Sequence, residues 1–275
     1  MKILLRHLAL IKVSGSDAET FLQNQFSNDI TQLIDSRVQI NAYCQHQGKI
    51  IALFWVMRSK DSFFLSFPAD LAEEVIKRLQ MFVIMSDVLI EDVSSQFDQI
   101  GLINEKSDSA FSINESLSLE IHSSGVLTKE INDNTDEWTK ACIDYKIPEI
   151  YLNISEKLVP QMLNLDINEV GVNFSKGCYP GQEVVARLHY LGEAKRRLFS
   201  FKSESEMHVG DSLYCVFSKG AKARGNRYKG SGTVVNKVKY DSLFYCLATL
   251  DVDLIDSRVT LNNEHGPTLT RISNE

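Results

Sequence analysis

The sequence predicts an α+β fold that gives way to a small all-β module, and two observations carry that prediction. Residues 3–93 run strand, helix, three strands, helix, strand, an order that suits antiparallel α+β layers better than a parallel α/β sheet. After Gly192 the helical periodicity stops, and five strand-like segments follow, parted by charged or glycine-containing turns. A chain of 275 residues is long enough for one large domain or two to three small ones.

Taken in order, residues 3–13 read as one strand. Ser16 and Glu19 have the spacing of a capping box, with the Ser16 hydroxyl accepting the Glu19 amide and Glu19 reaching back. The helix it opens passes through Phe21, Leu22, Gln25 and Phe26. Residues 38–44 and 49–58 read as strands joined by a polar turn over 45–48, and 63–67 continues the sheet. Pro68 and Asp70 start a second helix with Leu71, Val75, Ile76, Leu79 and Phe82 on one face, before a strand over 88–93. The stretch 97–130 offers short apolar runs at 100–103 and 117–121, read as short strands among loops. Residues 138–145 form a short helix ahead of Pro148, and 149–174 are irregular. Segments 198–201, 213–217, 232–238, 243–250 and 257–261 then have the spacing of a small antiparallel barrel.

Composition narrows the class. Apolar residues at 44% and charged residues at 24% exclude a largely disordered chain. The longest uninterrupted apolar run, residues 50–57, is eight long, against the ~20 a membrane helix needs. Arg6, His7 and Lys12 break the N-terminal apolar stretch, so no signal-peptide core forms. A soluble protein with no membrane partner is expected. The five cysteines form no C-x-x-C pair, which points to reduced thiols in a cytoplasm. None of the six histidines stands at ligand spacing from a cysteine, so no metal is expected. Net charge is −7, yet residues 176–240 hold 13 Lys/Arg against 5 Asp/Glu. That segment suits an anionic ligand or nucleic acid, and equally a lysine-rich solvated surface.

The most informative stretch is Phe174-Ser-Lys-Gly-Cys-Tyr-Pro-Gly-Gln-Glu183, followed by Val184 to Gly192. It reads as a turn feeding a helix. Pro180 suits the first helical position, Gly192 a left-handed stop, and Val184, Leu188 and Leu191 a shared buried face. Glu183 and Arg187 have i,i+4 spacing. Lys176 and the free amides of the first turn converge as an anion site. Cys178 precedes the helix start, where the positive end of a helix favours a thiolate. A reactive thiol and a half-buried structural cysteine both fit, and His189, at the far end of the helix, is a poor base for it.

Lys176-Gly177-Cys178-Tyr179-x-Gly181-Gln182-Glu183, followed by Val185-Ala186-Arg187, resembles the signature of the YgfZ family. These are folate-binding proteins linked to tRNA modification and related to the glycine-cleavage T-protein. Gly15-x-Asp17-Ala18, Phe21-Leu22-Gln23-x-Gln25 and Asn28-Asp29 are similar to the family's N-terminal block. Val159-Pro160-Gln161 with Asn164-Leu165, and Lys195-Arg196, resemble its flanking stretches. The resemblance implies two intertwined α+β modules and a C-terminal β-barrel around a central cavity. Residues 1–192 would be the folate-binding region, with 36–130 mostly its second module, and 193–275 the barrel.

It also implies folate as cofactor, as tetrahydrofolate or a one-carbon derivative. Its partners would be iron–sulfur enzymes that methylthiolate tRNA, with tRNA contact indirect. The protein would be an accessory folate binder or, as an enzyme, a one-carbon transferase. Cys178 would supply the thiol, for one-carbon uptake, redox protection or cluster repair. Trp138 matches one folate-contacting tryptophan of the family. A second falls on Leu8, which offers area but no π-face. Where the family has Lys-Gly-basic after a hairpin strand, Gln47-Gly48-Lys49 stands here, so Lys49 carries part of that charge.

Two further functions compete. A T-protein-type aminomethyltransferase would share the fold, but the Lys-Gly-Cys-Tyr block is not that enzyme's form of the segment. A basic-surface RNA-binding module would use Lys222, Arg224 and Arg227 in the loop over 219–229. The glycine spacing of that loop resembles a P-loop but lacks the required Lys-Ser/Thr.

Overall fold

The computed structural model describes residues 1–125, 131–216 and 231–273. Its first strand, β1 (Lys2–Leu4), and its second, β2 (Leu8–Ser14), belong to different sheets. This corrects the single strand expected over residues 3–13. Apolar residues flank the break on both sides, so hydropathy runs through it. Exposed Arg6 marks the turn, Leu8 N–H donates to Leu5 O at 3.2 Å, and Leu5 N–H goes to Gln99 O at 2.9 Å.

Helix α1 (Ala18–Gln25) follows β2. Asp17 occupies its N-cap without a side-chain capping bond, so the Ser16–Glu19 box does not form. A loop 70 residues away takes over: Ser16 N–H and Oγ–H donate to Asp87 Oδ2, and Asp87 N–H donates to Asp17 Oδ2. Glu19 turns to Arg58 instead.

Strands β3 (Gln39–Cys44), β4 (Ile50–Ser59) and β5 (Ser62–Pro68) come next, then α2 (Ala72–Gln80) and β6 (Leu89–Asp92). With β2 they make an antiparallel sheet in the order β3-β4-β5-β2-β6. All of Ile50 to Met57 is buried, which is why β4 reads as continuous apolar rather than alternating. Phe54 packs on Phe26 and Phe67 at ring distances of 4.9 Å, while its neighbour Trp55 points to the other face. In α2, Leu79 completes the buried stripe; Phe82 lies beyond the helix end and is largely exposed, contrary to the expected face.

The stretch after residue 96 is more regular than its polarity suggested. Strands β7 (Phe97–Ile103), β8 (Phe111–Ser112) and β9 (Leu117–Ser123) join β1 in an antiparallel sheet, β1-β7-β9-β8. The N-terminus thus starts in this sheet and crosses into the other one, interleaving the two α+β layers. Helix α3 (Thr135–Asp144) is capped by Asn134, whose side chain accepts from Asp136 N–H at 3.1 Å. Short 3-10 turns carry residues 149–170 to α4 (Gln182–Leu191).

Strands β10 (Arg196–Ser203), β11 (Ser212–Val216), β12 (Gly232–Tyr240), β13 (Leu243–Asp251), β14 (Arg258–Leu261) and β15 (Thr268–Arg271) close a barrel. The sixth, absent from the five strands expected, pairs with β10 and β14 and completes the ring. Phe201, Leu213, Val234, Cys246 and Leu269 fill its interior. A bulge between Val234 and Asn236 shifts the alternation of β12, so Val235 and Val238 join the main core outside the barrel.

Candidate functional site

Lys176 and Tyr179 are buried, while Gly177 and Cys178 between them stand exposed. The Lys176 ammonium donates to three carbonyls in the last turn of α1 and just beyond it: Gln23 O at 2.7 Å, Phe26 O at 2.6 Å and Asn28 O at 2.7 Å. Burial pushes it down to about 8, against the pull of Asp29. This replaces the expected anion site: Lys176 latches the loop to the α1 exit, and its charge faces inward. Asn173 Oδ1 accepts from the amides of Ser175 and Lys176, and Asn173 N–H reaches Ser27 O, so the approach to the motif is tied down as well. Burial drives the Tyr179 phenol upward, with Cys44 nearby adding to the shift. Cys178 is therefore held out to solvent by an anchor on each side. Cys44, Cys142, Cys215 and Cys246 are all buried.

Helix α4 begins differently from the sequence pattern. Gly181 is the N-cap, at φ +81°, and Pro180 stands one residue outside. Val185 is its buried residue, and its carbonyl accepts from Gln161 Nε2 at 2.8 Å; Val184 and Leu191 are exposed and Leu188 is half-buried. Gly192 is extended at φ −145°, not a left-handed stop. Among the described residues Glu183 and Arg187 form no ion pair. Exposed His189 stacks on Phe174 at 3.7 Å. The half-buried Lys49 sits at the end of the hairpin turn that packs on Gly181 through Gly48.

Trp138 is fully buried on α3. Its indole lies on Gly101 of β7, where an added Cβ would fall 2.4 Å from Trp138 Cε3, and meets Trp55 edge-on at 5.9 Å. Its one polar atom, Nε1, has no hydrogen-bond partner. Leu8 lines a small cavity of about 230 Å³ with Leu5, Ala69, Phe97 and Gln99. Gln99 Nε2 donates to Leu8 O at 3.2 Å, and Gln99 Oε1 is buried without a partner.

Sequence reasoning missed a buried polar cluster beside these two. Glu149 follows the Ile147-Pro148 turn and is 5% exposed. Tyr151 O–H donates to Glu149 Oε2 at 2.7 Å, and His7 Nε2 stands 3.6 Å from Glu149 Oε1. That separation suits an ion pair but exceeds a hydrogen bond, and both His7 nitrogens and Glu149 Oε1 have no hydrogen-bond partner. Burial, then the Glu149 carboxylate, pushes the Tyr151 phenol and the Cys142 thiol upward, so both stay neutral hydrogen carriers. The only sequence signal was an acidic residue directly after an Ile-Pro turn.

A larger groove of about 1090 Å³ lies between the two sheets, lined by Lys12, Arg58, Phe64, Phe97 and Phe111 among others. Neither it nor the small cavity is lined by Cys178 or Trp138. Lys222, Arg224 and Arg227 lie outside the described residues. Among the described residues no group of three His, Cys, Asp or Glu could hold a metal, and no helix is long and apolar enough to cross a membrane.

Residues 5–112 match the GCVT N-terminal domain family. An uncharacterized protein of Haemophilus influenzae is 30% identical over 262 residues, covering 92% of this chain and 89% of that one. The tRNA-modifying protein YgfZ of Colwellia psychrerythraea is 29% identical over 234 residues, covering 74% and 71%. The YgfZ protein of Aliivibrio fischeri is 27% identical over 278 residues, covering 90% and 83%. Among solved structures, the glycine cleavage system aminomethyltransferase T of Bartonella henselae superposes with a TM-score of 0.69 at 12% identity, over 99% of this chain and 84% of that one. The interleaved sheets, the closed barrel and the Lys176–Glu183 block thus have a common explanation: the chain belongs to the YgfZ family, related to the glycine-cleavage T-protein.

Proposed function

We propose that this chain is a cytoplasmic, folate-binding accessory protein of tRNA modification that supports iron–sulfur enzymes, including those that methylthiolate tRNA. Its relatives' names and its family carry the tRNA context. The observation that carries the chemical part is the exposure of Cys178 between the buried anchors Lys176 and Tyr179. A thiol so presented can meet a macromolecular client, which none of the four buried cysteines can.

Buried polar atoms without partners support the folate reading. A pterin offers a flat face and an edge of N–H donors and acceptors. Trp138 Nε1, Gln99 Oε1 and Glu149 Oε1 are buried without hydrogen-bond partners, and polar atoms of this kind are what such an edge would satisfy. In this reading residues 1–192 form the folate-binding region and 193–275 the barrel module. Bound folate would supply one-carbon or redox chemistry; the protein's part is to hold it and to present Cys178.

Complementation tests the proposal. In a strain lacking its own family member, the wild-type chain should restore methylthiolated tRNA, and Cys178→Ser should restore a small fraction. Full rescue by Cys178→Ser rejects a chemical role for the thiol. Failure of the wild-type chain to raise methylthiolation rejects the tRNA role. The T-protein reading stands second, since that neighbour shares the fold alone. It would require methylene-tetrahydrofolate to form from an aminomethylated lipoyl carrier.

A further inference from the structure

The two sheets close on each other at one end and part at the other. Leu10, Lys12 and Ser14 alternate onto one face of β2, opposite Ser66, Phe64 and Ser62 of β5, and Trp55 and Met57 of β4 continue the same rows. That face looks toward the second sheet: Trp55 meets Trp138 over Gly101, and Phe64 meets Phe97 of β7 edge-on at 5.6 Å. Past Phe64 the space opens into the groove of about 1090 Å³, with half-buried Phe97, Phe111 and Ile121 on the side of the second sheet. A lysine thus stands at an inward position of a sheet interface, where an apolar residue is the rule. Lys12 is half-buried, and among the described residues its ammonium has no ion pair or hydrogen bond, not even with Glu91, its register partner on β6. The Ser14 hydroxyl has no hydrogen bond among the described residues either.

We propose that this groove binds a small aromatic acid, its ring held among Phe64, Phe97 and Phe111 and its single anionic group on Lys12 and Ser14. Charge selects a monoanion. Of the charged groups lining the groove, Arg58 is engaged by Glu19, by Ile30 O and by the Phe63 ring, and Lys60 and Asp61 stand side by side on the β4–β5 turn. Lys12 is left as the one positive charge without a counterpart. Its ammonium and the Ser14 hydroxyl supply donors, and a hydrogen bond between two charged groups is the strong kind. A lysine that only lays its stem over apolar surface would cover that surface. Here three aromatic rings remain uncovered around it, a lining suited to offset or edge-on contact with a flat ligand. The volume suits a molecule of a few fused or linked rings. Trp138, Leu8 and Cys178 do not line the groove, so this inference does not rest on the folate reading.

The test uses two fluorescent probes, anilinonaphthalene sulfonate and N-phenylnaphthylamine, which has the same rings without the sulfonate. Each is titrated against the full chain as wild type, Lys12→Met and Lys12→Arg. Wild type should bind about one equivalent of the sulfonate saturably. Lys12→Met should weaken the sulfonate about tenfold or more and change the neutral probe less than about twofold, while Lys12→Arg keeps the sulfonate within about threefold. A wild type without saturable binding, a Lys12→Met protein that binds the sulfonate as wild type does, or an equal loss for both probes overturns the proposal. A second measurement needs no variant. Acetylation of the Lys12 amine in wild type, followed by mass spectrometry of its peptide, should slow about fivefold or more with the sulfonate at saturation, as a charge-assisted hydrogen bond occupies the amine. An unchanged acetylation rate overturns the proposal even where Lys12→Met fails to fold.

Discussion

Gly48 and Gly181 meet back to back: a Cβ on Gly181 would lie 2.8 Å from Gly48 Cα and 2.5 Å from Gln45 O. The hairpin turn between β3 and β4 thereby sets where α4 starts, and with it where Cys178 is presented. Gly181 also needs its φ of +81°, which alanine adopts at a cost. Gly181→Ala should destabilise the protein by about 2 kcal/mol and alter the alkylation rate of Cys178. An unchanged melting temperature and alkylation rate would contradict the close contact.

Thiol labelling should separate one cysteine from the rest. In the native protein, one equivalent of a disulfide reagent should react quickly and four slowly, since four of the five cysteines are buried. Burial also pushes Cys44 and Cys246 up to about 12, which further slows them. Cys178→Ser should abolish the fast phase. A fast phase that persists in that variant would place the reactive thiol elsewhere.

Replacing Lys176 should unfasten the motif from α1. Lys176→Met strands two buried carbonyls and one half-buried one, and a loss of about 3 kcal/mol is expected by urea denaturation. A loss under about 1 kcal/mol would mean that the latch contributes little.

Acid should weaken the second sheet through Glu120. Burial opposes its ionisation, but hydrogen bonds from Ser107, His122 and Ser109, with Lys2 beside them, outweigh that and bring it to about 2 from 4.5. Because the folded value is depressed, the stabilisation is fully present above the unfolded value and is lost as pH falls from about 4.5 toward 2. Wild type should exceed Glu120→Gln by about 2 kcal/mol at neutral pH, with the gap closing across that window. A gap independent of pH would contradict the assignment.

Local signals made much of this fold readable. The apolar run over 50–57 is β4, the stripe Leu71, Val75, Leu79 is the inner face of α2, and the barrel follows Gly192. What stayed hidden depends on residues far apart in sequence. Asp87 displaces the Ser16–Glu19 cap from 70 residues away, and Gln99 holds the break between β1 and β2. Strand β15, Thr-Leu-Thr-Arg, has one buried residue, so only barrel closure identifies it. At the site, the Cys178 block was visible as a motif. The inward turn of Lys176 and the meeting of His7, Glu149 and Tyr151 arise from tertiary packing, which no local spacing encodes.

Folate binding near Trp138 is the claim on which the functional reading turns, and the chain's two tryptophans, Trp55 and Trp138, sit 5.9 Å apart and report on one place. The deciding measurement is an anaerobic titration of tetrahydrofolate followed by tryptophan fluorescence, in wild type and in Trp138→Phe. Saturable quenching in wild type, with affinity at least tenfold weaker in the variant, is the expected result. No saturable change in wild type, or equal affinity in both proteins, would contradict it.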